Sequence, residues 1–470
     1  MDRTALTHLP HEYIENMTAL LGGEAPAFFA HYDRTPDAGL RANPLKISTD
    51  ELFSRLDMAL EPVPWCPDGR IVREAEISLG LHPFHAAGLY YVQEPAAQAV
   101  VEVLDPQPGE RILDLAAAPG GKTTHIAAKL ANHGLLVANE IHPKRVWDLV
   151  KNLERWGARN VLIANETPER LAAALPGYFD RVLVDAPCSG EGMFRKMPEA
   201  VRDWSPQFVV GCAVRQRSIL AEAARLVRPG GRLCYSTCTF APEENETVIF
   251  EFLAVHPDFR LVTPPWQPGF SRGLGRDFEP DKAPSPVRIW PHRAPGEGHF
   301  IALFERAGTD PARPRSRRRF SPALERLLPL WDAFARQHLA PGFDLPRERL
   351  HLVKSYLYAL PDGSPDPSAR PGERPALNFV RPGLWLGSFK KDRFEPAHSF
   401  AMALRPDEAR RVLDLEGPPA EAYLRREAMR SDGEDGWTLA ALEGRFPLGW
   451  GKRVRGLVKN HYPMGLRLHP

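Results

Sequence analysis

The stretch that decides the fold is Arg111-Ile-Leu-Asp-Leu-Ala-Ala-Ala-Pro-Gly-Gly-Lys-Thr123. Its first five residues form an apolar run of strand type, and its last residues open a segment with helical spacing. The turn between them has free backbone N–H groups and two glycines without a Cβ, which suits the close approach of a cofactor. The stretch therefore predicts a strand, a ligand-binding turn and a helix, in that order.

Strand-type runs of the same kind recur further along the chain. They lie at Leu135–Glu140, Asn160–Ala164, Asp180–Asp185, Gly231–Tyr235 and Gly298–Phe304. Segments long enough to be crossover helices lie between them, at Thr123–Asn132, Pro143–Trp156 and Pro206–Val227. Apolar runs without polar alternation are typical of strands buried on both faces of a parallel sheet. The pattern predicts a doubly wound, Rossmann-like α/β domain with ligands at the carboxyl ends of its strands.

The predicted domain boundaries follow from changes in this pattern. We predict an N-terminal domain over residues 1–98, the α/β domain over 99–306, a basic and Pro-rich linker region with helices over 307–372, and a C-terminal α+β module over 373–470. Outside the α/β repeats, helices are predicted over residues 10–30, Thr49–Leu60, Tyr90–Leu104 and Phe400–Leu413, strands at Leu377–Val380 and Leu384–Phe389, and a loop over residues 262–297.

Composition excludes several classes of protein. Of 470 residues, 60 are Lys or Arg and 59 are Asp or Glu, so net charge does not indicate a purely electrostatic partner. No apolar run approaches the roughly 20 residues of a membrane span, and the first residues lack the order of a secretion signal. The five cysteines are a sparse, odd set without paired zinc-ligand spacing. These features predict a cytoplasmic protein with reduced thiols, no metal and no membrane contact.

Two basic segments each leave two interpretations open. The run Arg313-Pro-Arg-Ser-Arg-Arg-Arg319 fits a solvated linker and equally a segment that tracks phosphates. Basic and apolar residues alternate over Gly451–Lys459, which predicts a strand with one basic edge. That edge is either an exposed β-face or an RNA contact, and the local charge favours RNA.

The glycine turn is not a nucleotide-triphosphate loop. A Walker A loop needs a glycine five positions before the Gly121-Lys122-Thr123 triplet, where this chain has Ala116, and the GxGxxG pattern does not fit either. The turn suits a nucleoside that bears an amino acid. Glu140 ends the next strand, where a carboxylate typically binds the two hydroxyls of a ribose.

Two thiols follow consecutive strands, in Asp185-Ala-Pro-Cys188-Ser-Gly190 and in Tyr235-Ser-Thr-Cys238-Thr. An isolated free cysteine is usually a small buried hydrophobe, and that interpretation holds for Cys212 and Cys234. Cys188 and Cys238 differ because each lies at a strand end in a site already marked by the glycine turn and Asp185.

These motifs, taken in order with Pro242-Glu-Glu-Asn-Glu246, resemble those of the Nop2/Sun RNA cytosine-5 methyltransferases. The resemblance spans about residues 38–306. Glu191-Gly-Met-Phe-Arg-Lys196 and the added tail resemble the bacterial branch that modifies small-subunit ribosomal RNA and carries a PUA-like C-terminal module. The resemblance implies a monomeric enzyme whose partner is RNA, either small-subunit ribosomal RNA or the ribosomal subunit.

The resemblance also implies S-adenosyl-L-methionine as the cofactor. The residues expected to bind it are Ala116, Ala117, Ala118, Pro119, Gly120, Gly121, Lys122, Glu140, Glu166, Thr167 and Asp185. Family members have an acid near the adenine after the third strand, where this chain reads Asn165-Glu166-Thr167. Either Glu166 substitutes for that acid or the contact is lost.

Two thiols suit methylation of cytosine C5, because this carbon is a poor nucleophile. A thiolate added to C6 turns the ring into an enamine that attacks the methyl group. The family's motif order makes Cys238 this nucleophile and Cys188 the residue that assists elimination. Asp185 is expected at the N3/N4 edge of the base, stabilising charge there if it is protonated or suitably paired, and Lys122 is expected at the target nucleotide.

Three other functions compete with this one. A DNA cytosine-5 methyltransferase would use the Pro187-Cys188 thiol as the nucleophile. An RNA-binding ribosome assembly factor with a vestigial cofactor fold would rely on the basic tail alone, which the intact Gly-Gly-Lys turn and both thiols disfavour. A P-loop ATPase is disfavoured by Ala116.

Overall fold

The first part of the chain folds as short helices beside a small antiparallel sheet. The computed structural model describes residues 8–75, 78–275, 284–309, 321–365 and 376–467. Up to residue 92 its elements are α1 His11–Leu21, α2 Ala25–Phe29, β1 Ala38–Ala42, α3 Thr49–Ser54, β2 Met58–Val63, β3 Cys66–Ala75, α4 Pro83–Ala86 and β4 Tyr90–Val92. The strand order is β2-β3-β1-β4.

The α/β region follows at once. Its elements are α5 Pro95–Leu104, β5 Arg111–Asp114, α6 Gly121–Leu130, β6 Leu135–Asn139, α7 Val146–Trp156, β7 Val161–Ala164, α8 Pro168–Ala174, β8 Phe179–Asp185, α9 Pro198–Asp203, α10 Pro206–Leu226, β9 Val227–Thr237, α11 Glu246–Val255, β10 Phe259–Val262, β11 Phe270–Arg272, β12 Val287–Ile289 and β13 His299–Arg306. Strands β7-β6-β5-β8-β9 pair in parallel in that order, and β13 pairs antiparallel with β9. The predicted doubly wound fold is confirmed.

Alternation along the parallel strands divides the core into two layers. Ile112 belongs to the apolar cluster that includes Ile126 of α6 and Val150 of α7. Its neighbour Leu113 belongs to the cluster on the other face, with Ala223 of α10. Successive side chains of a strand point to opposite faces. Both faces of the sheet are therefore covered by helices, which explains why the strand sequences are apolar without alternation.

The C-terminal part contains two further sheets and one strand that leaves them. Its elements are α12 Pro322–His338, β14 Leu350–Val353, β15 Tyr356–Ala359, β16 Phe379–Arg381, β17 Leu384–Lys390, β18 Arg393–Pro396, α13 His398–Ala403, β19 Val412–Leu415, α14 Pro418–Leu424, β20 Met429–Arg430, β21 Gly436–Leu442, β22 Phe446–Val454 and β23 Leu457–Asn460. The two sheets have the orders β14-β15-β17-β18 and β19-β21-β22-β23-β20. Strand β16 instead pairs antiparallel with β7, so it extends the central sheet.

Two predicted helices of the N-terminal part are wrong over part of their length. The segment Tyr90–Leu104 divides into β4, which pairs with β1, and α5, which begins only at Pro95 with Glu94 as its cap. The segment Thr49–Leu60 is helical only to Ser54, because Met58 begins the strand β2 that pairs with β3. In both cases strand pairing with residues distant in sequence overrides the local helical spacing.

Two other expectations need correction, and two predicted segments fall wholly or partly outside the described residues. The segment Phe400–Leu413 is a helix only to Ala403 and ends in β19, with Pro406 between the two. The expected loop over 262–297 includes β11 and β12, which pair with each other. The basic run 313–319 lies outside the described residues, as do residues 310–320 and 366–372 of the predicted linker region 307–372. None of the helices within the described ranges is both long and apolar enough to cross a bilayer.

Three polar side chains of the segment Leu40–Lys46 join the N-terminal sheet to the α/β region. Buried Arg41 donates to Gly121 O at 3.0 Å and to Thr124 Oγ1 at 2.7 Å in α6. Asn43 Nδ2 donates to Gly88 O at 2.7 Å and to Trp156 O at 2.9 Å. Lys46 Nζ donates to Ala87 O at 2.8 Å and to Arg155 O at 2.9 Å. Arg41 thus reaches the start of α6, while Asn43 and Lys46 satisfy carbonyls at the end of α7.

The partly buried Lys46 predicts a dependence of stability on pH. Burial, with a smaller contribution from Arg155, lowers the pKa of Lys46 to about 7, whereas an unfolded lysine keeps its proton to about pH 10.4. Between these values the unfolded chain binds more protons, so this group makes folding more favourable as pH rises. In urea unfolding, the stability of the wild type relative to Lys46→Met should increase from pH 7 to 10 by about 1–3 kcal/mol.

The matched control for this prediction is Lys144→Met, which removes an exposed lysine. Its stability relative to the wild type should stay constant over the same pH range. A constant difference for Lys46→Met as well would contradict the prediction.

Candidate active site

The carboxyl ends of three parallel strands bring the predicted site residues together. Asp114 of β5 pairs in register with Leu183 of β8, and Asp185 of β8 pairs with Ser236 of β9. Cys188 and Cys238 lie just beyond the ends of β8 and β9. The turn after β5, Asp185 and both thiols therefore meet at one edge of the sheet, where an open α/β fold places its ligands.

Two hydrogen bonds fix the turn after β5. Thr123 Oγ1 donates to Asp114 Oδ2 at 2.6 Å, and Ala117 N donates to Asn139 O at 2.8 Å. Burial raises the pKa of Asp114 to about 7. Gly120 has φ +115°, a left-handed conformation that disfavours any residue with a side chain, and α6 begins immediately after it. The turn thus presents its backbone at the helix N-terminus.

Glu140 lies at the end of β6, beside this turn. Its Oε1 accepts a hydrogen bond from His142 N at 2.8 Å, and its Oε2 lies 3.8 Å from Arg145 Nη1. Arg145 also donates through Nη2 to Ala118 O at 2.8 Å. One arginine therefore joins the carboxylate to the turn, and the two expected cofactor contacts sit on neighbouring strand ends.

Asn139 is a residue of the site that sequence analysis missed. Its Nδ2 donates to Leu115 O at 3.1 Å and to Glu166 O at 3.0 Å, and its Oδ1 accepts from Glu166 N at 3.0 Å. This buried amide ties the ends of β5, β6 and β7 together. The available signal was a polar residue ending the otherwise apolar run Leu135–Asn139.

Glu166 and Thr167 make contacts that serve the local structure. The Glu166 carboxylate accepts from Arg170 Nε at 2.6 Å and from Asn378 N at 2.7 Å. Thr167 caps the start of α8 by accepting from Arg170 N. Glu166 thus anchors the segment that leads into β16, and both possibilities for the adenine contact stay predictions.

Asp185 is paired, and this settles its charge state. Its Oδ2 lies 2.8 Å from Lys122 Nζ, and its Oδ1 accepts from Ser236 Oγ at 2.8 Å. Burial alone would raise the pKa of Asp185, but Lys122 and His299 together hold it well below its ordinary value. The pairing with Asp185 likewise raises the pKa of Lys122 against the effect of burial. The pair is a carboxylate and an ammonium at neutral pH.

The two expected catalytic thiols are in contact. Cys188 Sγ and Cys238 Sγ are 3.4 Å apart, and both residues are partly exposed. The hydrogen bond with Cys238, together with burial, raises the pKa of Cys188 well above that of an ordinary thiol. Cys66, Cys212 and Cys234 are buried. The structure thus separates a thiol pair from three buried cysteines, of which the sequence indicated Cys212 and Cys234.

A buried polar network holds the two thiol loops against each other. Gly192 N donates to Cys238 O at 2.8 Å, and a Cβ on Gly192 would lie 2.8 Å from that same oxygen. The Glu244 carboxylate accepts from Ser189 N at 3.0 Å and from Gln216 Nε2 at 2.7 Å. Burial raises the pKa of Glu244 to about 7 despite these bonds. Gly192 and Glu244 lie within the sequence motifs, but no functional role was predicted for either residue.

A second group of potential ligand atoms lies away from this site. The side chains of Cys66, Glu102 and His125 place one such atom each within 4.8 Å of one another. The Glu102 carboxylate already accepts from His125 Nε2 at 3.0 Å and from Lys129 Nζ at 2.8 Å. A lysine ammonium supplies the positive charge that this carboxylate requires, so the group is explained as a buried ion pair.

Family models match the chain in four consecutive pieces. The model described as 16S rRNA methyltransferase RsmB/F matches residues 101–305. The models described as the N-terminal domain, the first C-terminal domain and the PUA domain of RsmF match residues 9–95, 333–404 and 410–468.

Relatives of similar length resemble nearly the whole chain. The ribosomal RNA small subunit methyltransferase F of Escherichia coli strain SE11 is 32% identical over an alignment of 465 residues, which covers 93% of this chain and 92% of that protein. The protein of the same name from Erwinia tasmaniensis is 31% identical over 482 residues, covering 99% and 98% of the two chains.

Two solved structures each match about two thirds of this chain. A methyltransferase homologue from Pyrococcus horikoshii is 27% identical with a TM-score of 0.56, covering 65% of this chain and 100% of that one. NSun6 from Pyrococcus horikoshii with SFG shares the fold, with a TM-score of 0.56, 22% identity, and coverage of 64% and 99%.

The contact between the thiols predicts how their acidities depend on each other. In Cys238→Ala, the pKa of Cys188 should fall toward that of an ordinary thiol, because the hydrogen bond that raises it is lost. Iodoacetamide alkylation of Cys188, followed by mass spectrometry from pH 6 to 10, should shift to lower pH. The control variant Cys212→Ala should leave the alkylation curve in place, and an unshifted curve in Cys238→Ala would refute the coupling.

Proposed function

Because this chain belongs to the ribosomal RNA small subunit methyltransferase F family, we propose that it methylates C5 of a cytosine in small-subunit ribosomal RNA through a covalent bond between Cys238 and C6. The chain is an S-adenosylmethionine-dependent RNA (cytosine-5) methyltransferase. The observation that carries the proposed mechanism is the 3.4 Å contact between Cys188 and Cys238, at the sheet edge that also carries the Ala116–Lys122 turn.

The residues at this edge fit S-adenosylmethionine. The left-handed Gly120 lets the backbone of the turn approach a ligand closely, and the buried Glu140 carboxylate stands at the adjacent strand end, where it would bind the ribose hydroxyls. The residues that would hold the cofactor are those of the Ala116–Lys122 turn, with Glu140 and Asp185. When bound, the cofactor supplies a methyl group on a positively charged sulfur.

Cys238 is proposed as the attacking thiolate. A proton held on Cys188 and donated to Cys238 Sγ leaves Cys238 as the sulfur available for addition to C6. The new C6–S bond shifts the C5–C6 electrons so that C5 becomes nucleophilic. The high pKa of Cys188 therefore supports the division of roles between the two thiols.

Asp185 and Lys122 are proposed to bind the target base. As a carboxylate, Asp185 accepts a hydrogen bond from the cytosine amino group, and its pairing with Lys122 fixes its orientation. The ammonium of Lys122 lies where negative charge develops on the ring during addition. Both groups are already placed before RNA binds, since each is held by the other.

Cys188 is proposed to remove the C5 proton once the methyl group has been transferred. Cys238 is then bonded to C6, so its sulfur no longer accepts the proton of Cys188. Loss of that hydrogen bond lowers the pKa of Cys188, which releases its proton to solvent, and its thiolate then becomes available as the base. Removal of the proton restores the C5–C6 double bond and expels Cys238.

The competing functions are less well supported. A DNA cytosine-5 methyltransferase would need Cys188 as its nucleophile, yet Cys188 is the thiol whose pKa is raised. A vestigial fold would have no need to preserve the contact between the thiols and the Lys122–Asp185 pair. A P-loop ATPase remains disfavoured by Ala116.

One pair of lysines supports RNA binding by the C-terminal part. Lys452 of β22 and Lys459 of β23 are directly opposite partners in the sheet. Like charges so placed repel each other, and an anionic partner relieves that repulsion. The phosphates of RNA are such an anion. Action in the cytoplasm, a monomeric state and the four domain boundaries stay predictions.

Covalent trapping tests the assignment of the thiols. RNA that contains 5-fluorocytidine should form a denaturation-resistant adduct with the wild type and with Cys188→Ala, but not with Cys238→Ala, because only Cys238 forms the bond to C6. Gel electrophoresis measures the adduct, and Cys212→Ala serves as the cysteine control. An adduct lost in Cys188→Ala and kept in Cys238→Ala would show that the roles are reversed.

Calorimetry tests the ribose contact. Glu140→Gln removes a charged acceptor and should weaken S-adenosylmethionine binding about tenfold, as expected for a hydrogen bond to a charged group. The same substitution at the exposed Glu169 should leave the Kd unchanged. Equal affinity in the wild type and in Glu140→Gln would remove Glu140 from the cofactor site.

Charge reversal tests the C-terminal RNA contact. Lys459→Glu should weaken RNA binding and lower the slope of log affinity against log salt by about one, because one phosphate contact is lost. Fluorescence anisotropy at several salt concentrations measures both effects. Affinity for S-adenosylmethionine should not change, and Lys391→Glu in the β17–β18 turn is the matched control. Equal effects of the two substitutions would indicate a general charge effect.

A further inference from the structure

His299 is a buried side chain at the active site that no step above uses. It begins β13, one residue beyond the pairing of Phe300 with Thr237, so it lies level with Cys238. Its side chain is 4% exposed. The ring lies between two carboxylates, with Nδ1 3.8 Å from Glu94 Oε1 and Nε2 3.9 Å from Asp185 Oδ1.

The hydrogen bonds of the ring indicate which of its two nitrogens carries a hydrogen. Nδ1 lies 3.0 Å from Gly298 O, and a carbonyl oxygen only accepts, so Nδ1 carries a hydrogen. Nε2 is buried and has no hydrogen-bond partner among the described residues. In a neutral ring, its lone pair would face the negatively charged Asp185. A proton on Nε2 removes this conflict and turns the contact into an attraction.

The groups around His299 leave it as the exchangeable proton source. Asp185 is ionised, as described above, so it has no proton of its own to give. Lys122 holds its proton more tightly than an ordinary lysine because of Asp185. Glu94 caps α5 by accepting from Ala96 N and Ala97 N, and Glu297 is paired with Arg195. Histidine is the side chain that gains and loses a proton near neutral pH.

We propose that protonated His299 holds the Asp185 carboxylate in place and supplies through it the proton that the target cytosine gains when Cys238 adds to C6. His299 is therefore a positioning residue that acts through Asp185. The proposal deepens the proposed function and rests on it.

The proton transfers balance over the catalytic cycle. The thiolate electron pair of Cys238 forms the S–C6 bond, and the displaced electrons of the ring accept a proton at N3 from Asp185. That proton reaches Asp185 from His299 Nε2, which becomes neutral, so Asp185 only relays the proton and ends the step as a carboxylate again. Before elimination, Cys188 is no longer hydrogen-bonded to a thiolate and releases its own proton to solvent. Its thiolate then takes the C5 proton as the S–C6 bond breaks, so that each cycle releases one proton. The N3 proton then returns through Asp185 to His299.

Single-turnover methyl transfer from radiolabelled S-adenosylmethionine to RNA, measured from pH 5.5 to 9.5, tests the proposal. The wild type should give a bell-shaped profile, because it needs a Cys238 thiolate and a protonated His299. His299→Gln should lose the alkaline limb and react about 10- to 100-fold more slowly at pH 7. Its dissociation constants for RNA and cofactor should stay within roughly twofold of the wild type, since only the chemical step is affected.

A second variant keeps the test decisive even if His299→Gln folds poorly. Glu94→Gln removes the other carboxylate beside the ring while keeping an oxygen to cap α5, so it should shift the alkaline midpoint to lower pH. An alkaline limb retained in His299→Gln, or an unmoved midpoint in Glu94→Gln, overturns the role of His299. A wild type that neither transfers methyl groups nor traps 5-fluorocytidine RNA overturns the proposed function itself.

Discussion

The partly buried carboxylate of Asp185, at the end of a parallel strand, is held by charged and polar partners, and these contacts set the geometry of the site. An unpaired charge in that position would cost free energy, so the positions of its partners are constrained together with that of the carboxylate. Lys122 comes from α6 and Ser236 from β9, while Asp185 ends β8. The pairing therefore defines where the glycine turn, the end of β8 and the loop that carries Cys238 stand relative to one another.

The sequence predicts those parts of the fold that depend on local composition. The parallel strands appear as undiluted apolar runs because helices cover both faces of the sheet, and the site motifs converge because the carboxyl ends of parallel strands share one edge. The strand β4 was missed, since only its pairing with β1 makes residues 90–92 extended. The same holds for β2, where pairing with β3 overrides helical spacing.

Within the site, residue identity was predictable but contact was not. Motif order indicated two thiols, yet their 3.4 Å separation depends on how two loops pack, which in turn depends on Gly192 and the network around Glu244. Asn139 bridges three strand ends through an amide whose partners are backbone atoms. The positions of backbone atoms cannot be read from residue types, so the sequence did not predict this contact. His299 escaped notice because its neighbours Glu94 and Asp185 are far from it in sequence.

The pairing of β16 with β7 joins the C-terminal part of the chain to the sheet of the catalytic domain. Residues 379–381 lie after the segment that matches the methyltransferase family model, yet they close the edge of its sheet, and Asn378 N binds Glu166 at the end of β7. An uncovered sheet edge is a template for association with other chains. The catalytic domain and the C-terminal part therefore depend on each other for packing. A catalytic domain that ended at residue 306 would expose the edge strand β7 to association with other chains.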